Sequence, residues 1–488
     1  MIQFLLNDES VSLDTTRADI TVLQWLREHK LKTGTKEGCG SGDCGACTVV
    51  VASVVQANEN AYLHYESVNS CICFIGGLHG KQLITVEDLA QGDTLHPVQQ
   101  AMVDEHGSQC GFCTPGFIMS MFALYHQDGA KVLANNPDDL HHWIDRSLGG
   151  NLCRCTGYVP IKRAAIMAMQ NHQPDHFDAN SENTIKALLA IKKKLPMHPR
   201  FLLPSNLAEL ANMRIQYPAA RLLAGGTDLA LEVTQQLKDI ENIIYVKHVP
   251  ELLRVAVDKN YVHFGAAVSL NRCMDTLSTV VPDSESMMLR FGSEQVRNQG
   301  TIGGNIANAS PIGDLPPLLL ALNAELTLQA GAQTRTININ DFYLSYKKTL
   351  LKRDEFIRAI HIPVPSKQTH VFVHKISKRL DDDISAVCGV FCLEMLDEKI
   401  VNVRVAFGGM AETPARAHGV EQVLLGNAFD EAAVAAGIEA LAQDFSPITD
   451  ARASAKYRQS VAANLLKRCW LQVSVQEAVL EVGDYVSR

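Results

Sequence analysis

CGSGDCGAC, residues 39–47, decides how the first third of this chain is read. It brings Cys39, Cys44 and Cys47 within nine residues, and Cys71 follows 24 residues after Cys47. The C-x4-C-x2-C…C spacing is the plant-type pattern for a four-thiolate 2Fe–2S site. Three thiolates that converge on one small cluster force the loop to curl around it. Gly38, Gly40, Gly42 and Gly45 give the backbone that freedom. They also leave amides free to point at the bridging sulfides, and such hydrogen bonds stabilise the reduced, more negative state. A zinc site would favour paired CxxC…CxxC spacing, which the x4 gap does not offer.

Around this loop, residues 2–6 and 11–13 alternate and predict a hairpin. Ile20 to His29, with Leu23 and Leu26, predicts a short helix. The β-branched run TVVVASVV at 48–55 predicts a strand. Strand, helix, loop and strand in this order suit a small mixed sheet.

A second quartet follows: Cys110 and Cys113 in QCGFC, and Cys153 and Cys155 in NLCRC. Each pair runs into helix-forming sequence, TPGFIMSMFALYH and TGYVPIKRAAIMAM. Thr114 and Thr156 are candidate N-caps, and Pro115 suits a first helical turn. Two helix N-termini facing one thiolate-bound cluster would favour its negative charge. Spacing alone leaves zinc as an alternative; the neighbouring quartet favours a second 2Fe–2S centre. From His96 to about Gln173 apolar residues recur at helical intervals (Val98, Met102; Phe117, Met121; Leu140, Ile144), predicting a helical bundle.

Residues 174–198 are polar and weakly patterned, which predicts a linker. From Phe201 onward glycines multiply and β-rich segments alternate with helices, an α+β pattern. IPVP after His361 marks a further boundary. Beyond it VFVHKISKR, SAVCGVFCLEML and VNVRVAFGG predict three strands, followed by helices over 429–443 and 451–471.

A chain of 488 residues exceeds one core and predicts three or four domains. The net charge of −9 is mild and argues against a nucleic-acid partner. No apolar run approaches the ~20 residues that span a bilayer. The N-terminus meets Asp8 and Glu9 too early, and lacks the basic flank, for a signal peptide. The expectation is a cytoplasmic protein with no membrane partner, in whose reducing surroundings clustered cysteines serve metals rather than disulfides. Cys273, Cys388, Cys392 and Cys469 read as small core residues. Cys73, two residues from Cys71, is ambiguous.

Two glycine-paired loops stand in the second half. RLLAGGTDLALE, residues 221–232, runs an apolar strand into Gly225–Gly226–Thr227–Asp228, where paired glycines permit an anion-binding nest of amides. FGSEQVRNQGTIGGNIANASPIGDLPP, residues 291–317, carries Gly303–Gly304 flanked by short polar side chains. Each Gly-Gly pair alone is also compatible with a tight turn. The GxGxxG fingerprint is absent, which excludes a Rossmann site.

These motifs together resemble the small subunit of the bacterial xanthine dehydrogenase branch of the molybdenum hydroxylase family. The resemblance is carried by CGSGDCGACTV, QCGFCTPGF, GGNLCRCTGY, LLAGGTDL, TIGGNIANASPIGDLPP and KRLDDDISAV, and extends over nearly the whole length. Related carbon monoxide dehydrogenase-type enzymes keep the iron–sulfur and flavin parts on separate chains, so the fused order favours the xanthine dehydrogenase branch. The fold it implies is multidomain α+β. A β-grasp ferredoxin domain (1–88) leads to a four-helix-bundle 2Fe–2S domain (89–175) and a linker (176–196). A PCMH-type FAD-binding domain (197–367) and a C-terminal flavoprotein domain (368–488) follow.

The resemblance implies FAD contacts at Leu222, Leu223, Ala224, Gly225, Gly226, Thr227, Asp228 and Leu229 for the pyrophosphate. Thr301, Gly304, Asn305, Asn308 and Asp314 would hold ribityl and phosphate groups. Phe291 and Lys378 would lie near the flavin ring. The acidic run Asp381–Asp383 would lie near it too, where it would influence NAD+ binding. Gln109 would contact the pterin of the partner. No molybdopterin domain is evident, so a large partner subunit would supply it together with the catalytic glutamate; no catalytic residue is expected in this chain. Electrons would run from molybdenum through the Cys110/113/153/155 cluster, the Cys39/44/47/71 cluster and FAD to NAD+, with hypoxanthine and xanthine oxidised to urate. Open alternatives are an aldehyde or N-heterocycle hydroxylase, a shuttle without an NAD+ site, and O2 as final acceptor.

Overall fold

The computed structural model describes residues 1–14, 17–57, 60–127, 137–193 and 198–474. The chain divides into two units, Met1–Pro250 with Gly292–Gly300, and Glu251–Phe291 with Thr301–Arg488.

In the first unit the hairpin forms as expected, from β1 (Ile2–Leu6) and β2 (Glu9–Leu13). β3 (Thr48–Ala57) pairs along its length with β4 (Asn60–Asn69), and β5 (Gln82–Ile84) slots between β1 and β3. The sheet order is β2-β1-β5-β3-β4, with β1 and β5 parallel. α1 (Val22–Glu28) starts at Thr21, whose hydroxyl accepts the Gln24 amide. It buries Val22, Leu23, Trp25 and Leu26, and Trp25 meets Phe4 edge-on at 5.3 Å. Filling one face of a five-stranded sheet with one short helix gives the β-grasp.

Among the described residues four helices follow: α2 (Pro97–Asp104), α3 (Thr114–Tyr125), α4 (Pro137–Leu148) and α5 (Val159–Gln170). Every residue of α3 from Gly116 to Tyr125 is buried, so α3 is the bundle's central helix. The expected linker at 176–196 is corrected: it is helical over His176–Lys192, here α6. Asp175 caps it, accepting the amides of Phe177 and Asp178, and Phe177, Thr184, Leu188 and Ile191 form its buried stripe. Leu188 and Ile191 pack with Leu5, Val54 and Leu63 of the β-grasp sheet. A wide solvated face hid this narrow stripe among polar residues. The end of the expected linker, 194–196, lies outside the described residues.

The first unit ends in a three-stranded parallel sheet, order β6-β8-β7, of β6 (Phe201–Leu202), β7 (Arg221–Leu223) and β8 (Ile243–Tyr245). α7 (Leu207–Gln216) and α8 (Leu229–Thr234) are its crossovers, and the helix Glu294–Gln299 returns to this unit. Phe201, Leu223, Ile243 and Tyr245 share one core with Phe4, Trp25 and Cys71 of the β-grasp.

Among the described residues the second unit holds two larger antiparallel sheets and a two-stranded ribbon of Tyr343–Ser345 and Lys348–Thr349. One has the order β12-β11-β13-β10-β9, from β9 (Val255–Val257), β10 (Tyr261–Gly265), β11 (Glu325–Ala330), β12 (Gln333–Asn338) and β13 (Phe356–Pro363). Val262, Phe264, Leu326, Leu328, Ile360 and Ile362 of β10, β11 and β13 are buried, and the register of β11 on β13 shifts between Thr327 and Leu328. The strand runs through Pro363, so the boundary expected at IPVP falls just after it. The other sheet is formed by β14 (Thr369–Ile376), β15 (Val387–Leu396), β16 (Lys399–Gly408) and β17 (Ala415–Arg416). The two expected helices lie at Glu431–Asp444 and Ala455–Ser474; a shorter one, His418–Leu424, was not anticipated. Among the described residues no helix is long and apolar enough to cross a membrane.

Candidate metal and flavin sites

The nine-residue loop gathers its thiols into two pairs. Cys47 Sγ lies 3.2 Å from Cys71 Sγ, and Cys39 hydrogen-bonds with Cys44. None of these cysteines is in a disulfide. Two pairs of thiols suit two irons. The amides of Ser41 and Asp43 donate to Cys39 Sγ at 3.4 and 3.3 Å. The Cys44 thiol, then the side chain and amide of Ser41 and the amide of Asp43, hold Cys39 down to about 4 against the effect of burial. Gly45 takes φ +67°, and a Cβ on it would lie 2.6 Å from Asn151 Nδ2. Only glycine lets the second-cluster segment press this close.

The second quartet also forms two pairs, each joining distant segments. Cys155 Sγ stands 3.8 Å from Cys110 Sγ, and Cys113 interacts with Cys153. Burial pushes Cys113 up to about 12, while the Thr156 hydroxyl and amide outweigh burial and bring Cys153 to about 7. The expected caps are corrected. Cys113 is the N-cap of α3, with Thr114 the first helical residue, and Tyr158, at φ +71°, caps α5. Thr156 instead donates from its hydroxyl to Cys153 Sγ at 3.2 Å. Cys110 and Cys155 are exposed, as are Gln109, Phe112, Leu152, Tyr158 and Val159 near them in sequence.

Sequence spacing gave no sign of how the two quartets are joined. The Leu152 amide donates to Cys44 O at 3.0 Å, a direct backbone link between the cysteine loops. Beside it the Asn151 amide group donates to Gly45 O (3.0 Å) and Thr48 Oγ1 (3.3 Å). Its oxygen accepts from Ser120 Oγ (2.6 Å) and Gln295 Nε2 (3.1 Å). All four side chains are buried. Gln299 supports the first quartet alone: its side-chain oxygen accepts the Asn69 amide at 3.0 Å, while Asn69 Oδ1 accepts from Cys47 Sγ at 3.8 Å.

The flavin motifs fall into both units and are described separately. In the first unit the strand Arg221–Leu223 enters the loop, Gly226 adopts φ +82°, and Gly225 packs on the backbone of Gln299 and Gly300. Among the described residues no acceptor takes the amides of Gly225, Gly226, Thr227 or Asp228. Four free amides beside a left-handed glycine form the nest expected for a pyrophosphate. Ala224 to Thr227 are half-buried, Leu222 and Leu229 likewise, and Asp228 is exposed. Behind the loop a cavity is bounded by Ala224, Gly225, Glu66, Lys81, Lys247 and Cys73. Cys73 therefore lines this cavity rather than joining a thiol pair. Burial pulls Lys247 down to about 8.

In the second unit Thr301 caps the helix Ile302–Ala307, its hydroxyl accepting the Gly304 amide at 3.2 Å. Gly304 is exposed, Asn305 and Asn308 are half-buried, and Asn305 Oδ1 is a buried acceptor with no partner. An orphaned amide oxygen at an expected flavin contact suits a missing donor such as a ribityl hydroxyl. Asp314 differs from expectation. Its oxygens are taken by Lys375 Nζ and Ser385 Oγ, both at 2.5 Å, so its carboxylate is an internal clamp. Phe291 is half-buried and follows Arg290, which donates to the carbonyls of Lys375 and Leu380 and to Ser377 Oγ. Exposed Lys378 donates to Ala451 O at 2.9 Å.

The sequence matches four families in this order: "2Fe-2S iron-sulfur cluster binding domain" over 4–76, "2Fe-2S binding domain" over 85–166, "FAD binding domain in molybdopterin dehydrogenase" over 196–365, and "CO dehydrogenase flavoprotein C-terminal domain" over 372–473. The chain belongs to the molybdenum hydroxylase family, as its iron–sulfur and flavin portion. It is 30% identical to the xanthine dehydrogenase of Emericella nidulans over 97% of its own length, and 29% identical to the rat xanthine dehydrogenase/oxidase over 96%. In both cases it spans 39% of the relative. Among solved structures it resembles chains of the carbon monoxide dehydrogenase of Hydrogenophaga pseudoflava (TM-score 0.53, 27% identity) and quinoline 2-oxidoreductase of Pseudomonas putida 86 (TM-score 0.52, 25% identity). These matches cover 56% and 57% of this chain, and 96% and 97% of those chains.

One further cluster in this molybdenum hydroxylase chain has metal-like composition, His96, His126 and Asp175. Its protons argue otherwise. His96 Nδ1 accepts the Val98 amide, so its Nε2 carries the proton and donates to Asp175 Oδ2 at 2.7 Å. His126 Nε2 reaches the same oxygen at 2.8 Å. Burial opposes the charge, but these two histidines hold the Asp175 carboxyl well below the usual range. The group is a hydrogen-bond hub that ties α2, α3 and the start of α6 together.

Proposed function

We propose that this chain is the electron-transfer part of a xanthine dehydrogenase-type enzyme. It would work with a large molybdopterin-binding subunit and deliver electrons to NAD+ in the oxidation of hypoxanthine and xanthine to urate. The observation that carries this reading is the joining of two thiol quartets, one with Cys47 and Cys71 buried and one with Cys110 and Cys155 exposed, through the Cys44–Leu152 hydrogen bond, in a chain that continues into a nest of free amides. When bound, the clusters and FAD supply the one-electron and hydride chemistry; the protein supplies position and electrostatics.

Cys110, Cys113, Cys153 and Cys155 would hold the cluster nearer the partner. Exposed Phe112, Leu152, Tyr158 and Val159 offer the apolar surface that a desolvated contact needs, with Gln109 as the polar contact to the pterin. Cys39, Cys44, Cys47 and Cys71 would hold the second relay, with Cys47 and Cys71 shielded in the β-grasp core. The amides of Gly225 to Asp228 would bind the FAD pyrophosphate. Thr301, Gly304, Asn305 and Asn308 would hold the ribityl and phosphate groups, and Phe291 and Lys378 would flank the ring. The similarity to xanthine dehydrogenases across nearly all of this chain favours a purine substrate over an aldehyde.

The test is an anaerobic titration of the cofactor-loaded complex. NADH should bleach flavin and iron–sulfur absorbance together, and xanthine should do the same through the partner. No reduction by NADH would overturn the NAD+ site; reduction by NADH but not xanthine would overturn the purine assignment alone.

A further inference from the structure

We propose that His263 and His361 form a site for a borderline divalent metal ion of the Zn2+ class on the open face of the first sheet of the second unit. The two residues sit directly opposite each other on β10 and β13, and Glu325 on β11 is directly opposite His361. Direct opposition in antiparallel strands puts all three on one face. The facing side is packed with Phe264, Ile360 and Leu326; this side is half-buried and open to solvent.

The two Nδ1 atoms point at each other, 2.7 Å apart, with ring planes at 71°. Each ring is steered from its other nitrogen. His263 Nε2 meets Asp258 Oδ2 at 2.9 Å, and His361 Nε2 meets Thr327 Oγ1 at 2.8 Å. A carboxylate or hydroxyl behind each imidazole is the outer shell that orients metal-binding histidines and raises their basicity.

Proton placement favours the site. Asp258 accepts from His263 Nε2, and in the neutral ring this leaves Nδ1 bare. Without metal, His361 Nδ1 donates to that bare nitrogen, and the Thr327 hydroxyl donates to His361 Nε2. Metal binding requires both Nδ1 atoms bare. The His361 proton then moves to Nε2, and the Thr327 hydroxyl turns from donor to acceptor. Both rings stay neutral and no proton need leave the site. The buried hub at Asp175 lacks this freedom, because a backbone amide already occupies the second nitrogen of His96.

Two nitrogens bound to Zn2+ at ~2.0–2.1 Å in tetrahedral geometry stand about 3.3 Å apart. The pair must therefore open by only about half an ångström, within reach of small side-chain rotations. Water completes the coordination, and Glu325 stands opposite His361 on the neighbouring strand. Imidazole nitrogen suits Zn2+, Cu2+ and Ni2+ rather than Mg2+ or Ca2+.

The experiment uses the full chain with both clusters assembled, so that the cysteine quartets are closed to added metal. Zn2+ titrated calorimetrically should bind at one equivalent. Zinc-edge X-ray absorption should show nitrogen and oxygen neighbours without sulfur. His361→Gln and His263→Ala should each abolish that event while cluster absorbance stays unchanged. Asp258→Asn should weaken it by roughly 10–100-fold without removing either ligand. Failure of Zn2+ to bind, binding unchanged in both histidine variants, or a sulfur-rich shell overturns the site.

Discussion

The two thiol quartets carry the same ligands in opposite settings. Cys47 and Cys71 are buried beneath the β-grasp sheet, whereas Cys110 and Cys155 are exposed at the edge of the helical bundle. In the first, a single short loop supplies three thiols and the amides that face them. In the second, two segments 40 residues apart must be brought together by the packing of α3 and α5. The first site is thus encoded locally and the second by tertiary structure. Cluster potential follows hydrogen bonding and exposure, so equal ligand sets should give unequal centres.

The sharpest way to break this comparison is to remove one ligand from each side. Cys44→Ser should delete one 2Fe–2S signal in the electron paramagnetic resonance spectrum and leave the other, and Cys113→Ser should do the reverse. Loss of both signals in a folded variant would show that the sites are not independent. Next in size is Phe117→Ala, which empties a buried position in the first turn of α3. It should cost about 3–5 kcal/mol in thermal unfolding and disturb the signal of the bundle cluster first. An equal disturbance of both would contradict the local encoding of the first site.

Gly45→Ala attacks the seam between them. A positive-φ alanine with its Cβ against Asn151 should cost about 2–4 kcal/mol and shift both spectra. The smallest effect concerns the bundle's own clamp. Asp175→Asn should destabilise the protein by about 1–3 kcal/mol at pH 7. The folded carboxyl lies below its unfolded value near ~3.9, so its contribution is present above that pH and lost as pH falls below it. The gap between wild type and variant should therefore narrow in unfolding curves taken below about pH 4.

What the sequence made legible tracks this same division. The nine-residue loop, its amides on sulfur, the nest at Gly225–Gly226 and the helical bundle all follow from short-range spacing and backbone freedom. The helix His176–Lys192 was missed because four buried residues in seventeen leave a mostly polar segment. The Asn151–Ser120–Gln295 hub was invisible because its members come from three distant segments, and a single Asn or Gln has no spacing to betray it. Asp314 resembled a ligand-holding carboxylate in its motif; only the fold supplied Lys375 and Ser385 to occupy it.

The hydrogen bond from Leu152 to Cys44 closes a loop of more than one hundred residues. Such closure is entropically costly, and local propensity does nothing to offset it. The amide of Leu152 is released to exchange with solvent deuterium only when the two cysteine-bearing segments part. Its protection factor is therefore a single-site gauge of maturation: one proton in the chain reports whether the β-grasp and the bundle have met.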